Sequence, residues 1–438
     1  MIYFYYLLFE RVSTMSAGIC IMNKHAIALA ADSAVTIGQH LAIHNSANKL
    51  FALSKVAPVG AIIYSNAELM NVPAEIIIKQ YKEKHGNQNF PTLAHFVADF
   101  FSFLLSNKAL FHFAHNEKRL VANIYQDLLA GLNGDYQRMI QNKISAVQRE
   151  LTEDELTEIQ RDAVSATSDF VSSLPLIPNF DVTTYIKARY TSEIIAYIKS
   201  TFSWVSDDQT NTLCEAVCSV YNKQFFRNGY IGIAFAGYGE NDIFPCMIHI
   251  HISGIINDKI RYVKKEQVEI TESTPSSISP LAQTDVMQTF LFGINDSFIN
   301  DIAKEIPAQI QNSFNGIDDS LFALGKKSEV QNSLNATTSS VINQIIQKAR
   351  QQYLFPITNS IATLPIEELS LLAESMINIT SLRRKVAIDN NIGTVGGPVD
   401  LAIISKGEGF IWLKRKHYFD PNLNPQYMYS HYLPIRGQ

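Results

Sequence analysis

The spacing of apolar positions divides the chain into alternating β and helical blocks. Residues 16–65 carry the β pattern: 17–22 and 25–31 are apolar and β-compatible, and Asn23-Lys24 between them suits a two-residue hairpin turn. A third strand is expected around 36–43, a polar turn at 44–48, and two further strands at 49–53 and 59–63. Helical spacing takes over at 67–84 and resumes at 91–106, where Pro91 suits a first turn. Residues 108–225 read as mostly amphipathic helix, with Thr152 and Glu155 spaced as a capping box. Strand character returns at 230–237, 246–252 and 259–268, and 272–279 is a loop by composition. Helices are expected at 283–294, 296–311, 328–352 and 366–386. The last opens with Glu367 and Glu368 and ends with Arg383, Arg384 and Lys385, which complements the helix dipole. A turn at 393–398 and a hairpin of 399–405 with 410–414 complete the pattern. This order predicts a layered α+β domain carrying helical insertions.

Composition narrows the class. Of 438 residues 47% are hydrophobic, enough for a large core and too many for a disordered chain. The 36 Lys and Arg against 41 Asp and Glu give a net charge of −5, so nucleic acid and acidic membranes are not expected partners. The longest apolar run, residues 1–9, is half of what a bilayer needs, and no transmembrane helix is expected. The four cysteines, Cys20, Cys214, Cys218 and Cys246, do not make a disulfide scaffold and suit a reducing cytoplasm, the expected location. Residues 1–15 lack the basic start of a secretory signal and read as a propeptide or as an extension upstream of a true start at Met15. Either would put Ser16 behind a removable Met.

Candidate chemistry gathers at the first hairpin. With Asn23-Lys24 as the turn, partner numbers sum to 47, so Ser16 is expected opposite Ala31, with Asp32 at the free end of the first strand. The next turn can return Lys49 to the same end. A serine hydroxyl needs a base before it attacks a carbonyl, and a free α-amine of pKa ~8 is such a base near neutrality. A lysine cation lowers the proton affinity of its neighbours, and a carboxylate orients and neutralises that cation.

These residues resemble a known family. Residues 16–38 (SAGICIMNKHAIALAADSAVTIG) are similar to the start of mature proteasome β-subunits and their bacterial relatives, which are N-terminal-nucleophile hydrolases. There a Thr or Ser freed at the N-terminus is followed sixteen residues later by Asp within A-A-D-S, and Ser16 to Asp32 repeats both spacing and wording. Asn48-Lys49-Leu50-Phe51 resembles the K-K-[IV]-F that carries the family's catalytic lysine, here Lys49. Residues 60–66 (GAIIYSN) fall where the family has G-x-x-x-A-G, and 396–404 (GGPVDLAII) resemble its G-G-x-[IV]-D-[VL]-A-[VI] strand.

The resemblance implies a four-layer αββα sandwich with its core in 16–107, 226–296 and 363–438, and helical insertions at 108–225 and 297–362. It implies amide-bond hydrolysis through an acyl-enzyme on Ser16, tuned by Asp32 and Lys49, with backbone N–H groups near Ser65 binding the oxyanion. The substrate would be a peptide or small amide, no metal or organic cofactor is required, and the assembly would be a homo-oligomeric ring. An ATPase partner is left open.

The chain also departs from the family. Ala34 follows D-S in place of arginine, Ser65 replaces the oxyanion-hole glycine, and 392–395 (IGTV) lack the Asp and Ser expected before the G-G. Ser279 is the candidate for the serine of a Gly-Ser-Gly turn. A catalytically silent scaffold and a small-amide hydrolase are the rival functions. Thr14 is a rival nucleophile, and Asp32 and Lys49 have plain turn and edge-strand alternatives. His249 and His251 share one face of a strand and read as ordinary sheet histidines, and Cys214 and Cys218 as core thiols.

Overall fold

A computed structural model describes residues 17–37, 42–44, 47–111, 113–227, 229–282, 284–317, 326–386, 396–417 and 419–426. The strands are β1 (Ala17–Asn23), β2 (Ile27–Ala31), β3 (Val35–Ile37), β4 (Ala42–His44), β5 (Leu50–Ala52), β6 (Val59–Ser65), β7 (Glu68–Leu69) and β8 (Val72–Pro73). Helices follow: α1 (Ala74–His85), α2 (Leu93–Ser106), α3 (Phe113–Val147), α4 (Glu153–Ser173), α5 (Thr183–Thr201) and α6 (Asp207–Val220). Then come β9 (Ile231–Gly237), β10 (Cys246–Ile256), β11 (Lys259–Glu269) and β12 (Ser276–Ala282). The chain continues with α7 (Asp285–Phe292), α8 (Asp296–Asn315), α9 (Lys326–Ala349), α10 (Phe355–Ile361), α11 (Ile366–Val386), β13 (Asp400–Ser405) and β14 (Gly409–Lys414). The molecule is thus a mixed α and β protein with antiparallel strand pairing. No helix among the described residues is long and apolar enough to cross a membrane.

The described chain forms two compact units, one of Ile63–Phe235 with Met247–Gln267, the other drawn from Met15–Ile62, Ala236–Cys246 and Val268–Gln438. In the first, α3 to α6 enclose a core of Leu120, Ile124, Leu128, Ile186, Ile194, Leu213 and Val217. The Thr152–Glu155 capping box forms at the start of α4. Glu117, buried on α3, accepts the hydroxyls of Tyr185 and Tyr190 and the Asn257 N–H, which satisfies a carboxylate that burial would otherwise penalise. Arg261, fully buried on β11, donates to the carbonyls of Tyr221, Lys223 and Phe225 beyond the end of α6.

In the second unit a five-stranded sheet runs β12-β1-β2-β13-β14. Ala17, Ile19 and Ile21 of β1 and Ala28 and Ala30 of β2 turn one face to Leu369, Ala373, Met376 and Ile377 of α11. The opposite face meets the start of β6, where a Cβ on Gly60 would lie 2.7 Å from the Phe410 ring and 3.1 Å from Leu29, so glycine permits the close approach.

Three local expectations are corrected. In place of the single strand expected at 36–43, two short strands, β3 and β4, pair antiparallel. The helix expected from 67 begins at Ala74, because Met70 and Asn71, with φ of 51° and 64°, close the small β7–β8 hairpin first. Residues 276–279, expected in a loop, begin β12, an edge strand that tolerates Pro280 opposite Ile19.

Candidate active site

The first hairpin turns one residue later than its sequence suggests. The Asn23 side-chain oxygen accepts the N–H groups of His25 and Ala26 at 2.9 and 3.1 Å, and Asn23 N–H donates to the Ala26 carbonyl at 3.1 Å. An Asx-type turn therefore centres on Lys24-His25. Paired numbers sum to 49, not 47: Gly18 faces Ala31, and Asp32 N–H donates to the Ala17 carbonyl at 3.0 Å. Asp32 thus stands beside Ala17 and not one place beyond Ser16's partner. Ser16 itself lies outside the described residues.

Asp32 is 1% exposed and accepts four hydrogen bonds. Oδ1 takes Ala17 N–H at 2.8 Å and Lys49 Nζ at 2.7 Å, while Oδ2 takes the N–H groups of Ala34 and Gly396, both at 3.2 Å. A carboxylate offers about four lone-pair sites, so this one is fully used. It is an anchor that ties the start of β1 to the segments holding Ala34 and Gly396. The neighbouring Ser33 adds to that tie, donating its hydroxyl to the Pro398 carbonyl at 2.5 Å and its N–H to the Gly396 carbonyl at 3.1 Å.

Lys49, 5% exposed, also donates to the Ala34 carbonyl. Burial pushes its ammonium below the ordinary lysine range, and the Asp32 charge and hydrogen bond oppose that shift. A second ion pair adds to the field: Lys416 donates its N–H to Asp400 at 3.0 Å and its ammonium to the other oxygen of the same carboxylate. Lys416 lowers and Asp400 raises the proton affinity of Lys49. Sequence reasoning placed Asp400 within a motif but gave it no role, and it missed Lys416 and the Gly396 N–H. The signal for the first was an acid buried at the head of the apolar strand Asp400–Ser405, which requires a partner.

Ser65 ends β6 with φ of 69°, in the left-handed region that favours glycine. The residue type that the resemblance expects there is thus the one this backbone prefers. Ser65→Gly is expected to change the unfolding free energy by less than about 0.5 kcal/mol, whereas Ser65→Val costs about 1–2 kcal/mol. Urea unfolding of the two variants checks this, and equal losses would contradict it. Ser279, 3% exposed, sits inside β12 opposite Cys20, while Ala282 is the β12 residue paired with Ala17. The sequence-based candidate for a turn serine is therefore a strand residue. The 392–395 segment lies outside the described residues. Among the described residues no group of three His, Cys, Asp or Glu side chains could hold a metal ion.

No protein-family model matches the sequence, and no curated protein matches it. Among solved structures, an Anbu (Gly-1) mutant from Hyphomicrobium sp. strain MC1 aligns at 9% identity over 95% of this chain and 94% of that one, with a TM-score of 0.28. Anbu (ancestral beta-subunit) from Yersinia bercovieri aligns at 10% identity over 96% and 98%, with a TM-score of 0.26. Superpositions of that quality assign neither a fold nor an activity.

Proposed function

We propose that this chain is an amide-bond hydrolase of the N-terminal-nucleophile kind, built on a four-layer αββα sandwich, with Ser16 as nucleophile. One observation carries the reading. The Asp32 carboxylate lies 2.8 Å from Ala17 N, the nitrogen of the peptide bond joining residues 16 and 17, and 2.7 Å from the Lys49 ammonium. A buried ion pair is thereby held one hydrogen bond from the nitrogen through which residue 17 joins residue 16. Lys49 spends two of its three donors on Asp32 and Ala34, leaving one without a partner among the described residues.

In this reading, removal of residues 1–15 frees the Ser16 α-amine. That amine takes the hydroxyl proton as Oγ attacks the substrate carbonyl, and backbone N–H groups near Ser65 receive the oxyanion. Collapse of the tetrahedral intermediate expels the amine product, which takes the proton back from the α-ammonium and leaves an ester on Ser16. Water, deprotonated by the same α-amine, then cleaves the ester and releases the acid. Lys49 holds the local potential positive, and Asp32 fixes both Lys49 and the start of β1. The helical blocks at 108–225 and 297–362 are insertions into this core, and a ring of identical subunits is the assembly that the resemblance implies.

The full use of the Asp32 lone pairs equally suits a structural tie, which favours a silent scaffold as the second reading. A peptide-library digest separates the two. Wild type is expected to cleave, Ser16→Ala to lose at least about 10³-fold in rate, and Ser16→Thr to retain activity. Cleavage by Ser16→Ala at the wild-type rate, or none by wild type after Ser16 is exposed, would contradict the proposal.

A further inference from the structure

The residue before Ser65 is held by a cluster that the mechanism above does not use. The Tyr64 hydroxyl meets Nε2 of His249 and, at 2.7 Å, Nε2 of His251. The histidines lie two apart on β10 and so share a face. Tyr64 comes from β6 and passes over Gly232 of β9, where a Cβ would stand 2.2 Å from the Tyr64 ring. Glycine there opens the path. All three rings are 9% exposed or less. A hydroxyl has one proton to give, so between two Nε2 atoms it donates to one imidazole and accepts N–H from the other. Both rings are then neutral and hold opposite tautomers.

The contacts close around Ser65. The His251 ring stacks on Tyr230 with centroids 4.3 Å apart and planes at 25°, and the Tyr230 carbonyl accepts Asn66 N–H at 3.2 Å. Tyr64 and Asn66 are the chain neighbours of Ser65, so both sides of that residue are fixed by one circuit of rings and hydrogen bonds. Ser65 in turn has a left-handed backbone, which a residue with a Cβ keeps only where its surroundings over-determine it.

We propose that Tyr64, His249 and His251 form a positioning clamp that holds the Ser65 backbone in its left-handed turn, and that protonation of the histidine pair opens it. The catalytic consequence rests on Ser65 lying at the oxyanion site of the proposed hydrolase; the clamp itself does not. When the accepting imidazole gains a proton, both Nε2 atoms become donors to one oxygen, so the hydroxyl can no longer donate to either ring, and a charge is added among buried rings. The titratable and charged groups around the pair are Tyr64 of β6, Tyr230 preceding β9, and Lys265 of β11. Arg261 of β11 lies behind Phe226, whose ring it covers at 4.4 Å. Burial and the Lys265 charge hold His249 down to about 4, and burial, His249 and Lys265 hold His251 down to about 2. The clamp is therefore closed at neutral pH and opens in acid.

Amide hydrogen exchange on the full chain, expressed as protection relative to intrinsic rates at each pH, tests this. In wild type, protection at residues 65 and 66 is expected to fall at least tenfold between pH 7 and pH 4. Tyr64→Phe, shown folded by circular dichroism, is expected to lose at least tenfold already at pH 7 and to respond little to acid. His249→Gln, His251→Gln, a pair of neutral polar replacements that cannot titrate, is expected to keep most of the protection at pH 7 and to lose the response between pH 7 and 4. Wild-type protection at 65 and 66 in Tyr64→Phe overturns the proposal. So does a wild-type acid response in His249→Gln, His251→Gln, which decides the matter even should Tyr64→Phe fail to fold. With a cleaved peptide in hand, Tyr64→Phe should lower kcat about tenfold and leave KM within twofold. Absence of hydrolysis in wild type would defeat the hydrolase reading alone, because the exchange result stands without it.

Discussion

Replacing Lys49 with methionine is expected to lower the unfolding free energy by about 3 kcal/mol and to abolish hydrolysis, because it leaves the Asp32 carboxylate buried without its cation. The loss falls at the low end of the roughly 3–5 kcal/mol seen when a buried pair is broken, since three backbone N–H groups still hold Asp32. Asp32→Asn is expected to cost more, about 4 kcal/mol. It removes the negative charge that the buried Lys49 ammonium faces at 2.7 Å, and it turns an NH2 group toward backbone donors. The double variant Asp32→Asn, Lys49→Met removes both charges and should cost at least about 1.5 kcal/mol less than the sum. Urea unfolding of the four proteins gives the coupling directly. Additivity within about 0.5 kcal/mol would mean that the two residues do not act as a pair.

Acid should unfold the protein through His249 and His251. In the unfolded chain each takes a proton near pH 6.5, whereas in the fold His249 waits until about 4 and His251 until about 2. Between those limits the unfolded state binds more protons, so stability falls as pH drops, by about 1.4 kcal/mol per unit for each histidine. From pH 7 to pH 5 the pair should cost about 3–4 kcal/mol, and the loss continues below pH 5 until the folded imidazoles titrate. Urea unfolding of His249→Gln, His251→Gln at the two pH values isolates their share from that of the carboxylates. A double variant with the same loss between pH 7 and 5 as wild type would show that the histidines titrate alike in both states.

Much of the α and β order was legible because the cues are local. The apolar run of β1, the Thr152–Glu155 box and the charge bias of α11 are each set within a few residues. The errors arose where a side chain or a partner strand decides. Asn23 bonds back to its own turn and shifts the hairpin register by two in the sum, which moves Asp32 from beyond Ala31's partner to the side of Ala17. Serine and proline in β12 looked like loop, because a sequence does not say that a strand lies at a sheet edge. The Asp32–Lys49 pair could be anticipated from spacing and resemblance, while Asp400–Lys416 joins a strand to a segment beyond the next one, a pairing no local pattern encodes. The shared face of His249 and His251 followed from period two. Their partner Tyr64 did not, since it reaches them over a third strand through the space that Gly232 leaves.

The proposed chemistry is attack on amide carbonyls by a serine with a free amine, set against a buried lysine–aspartate pair. Protein from its native host, treated with an electrophilic β-lactone and digested, would be sequenced by mass spectrometry for the modified peptide. The account predicts one dominant adduct, on the hydroxyl of a peptide that begins at Ser16, and its loss in both Ser16→Ala and Lys49→Met. A working hydrolase whose chain still carries residues before Ser16, or whose adduct lies elsewhere, would contradict it.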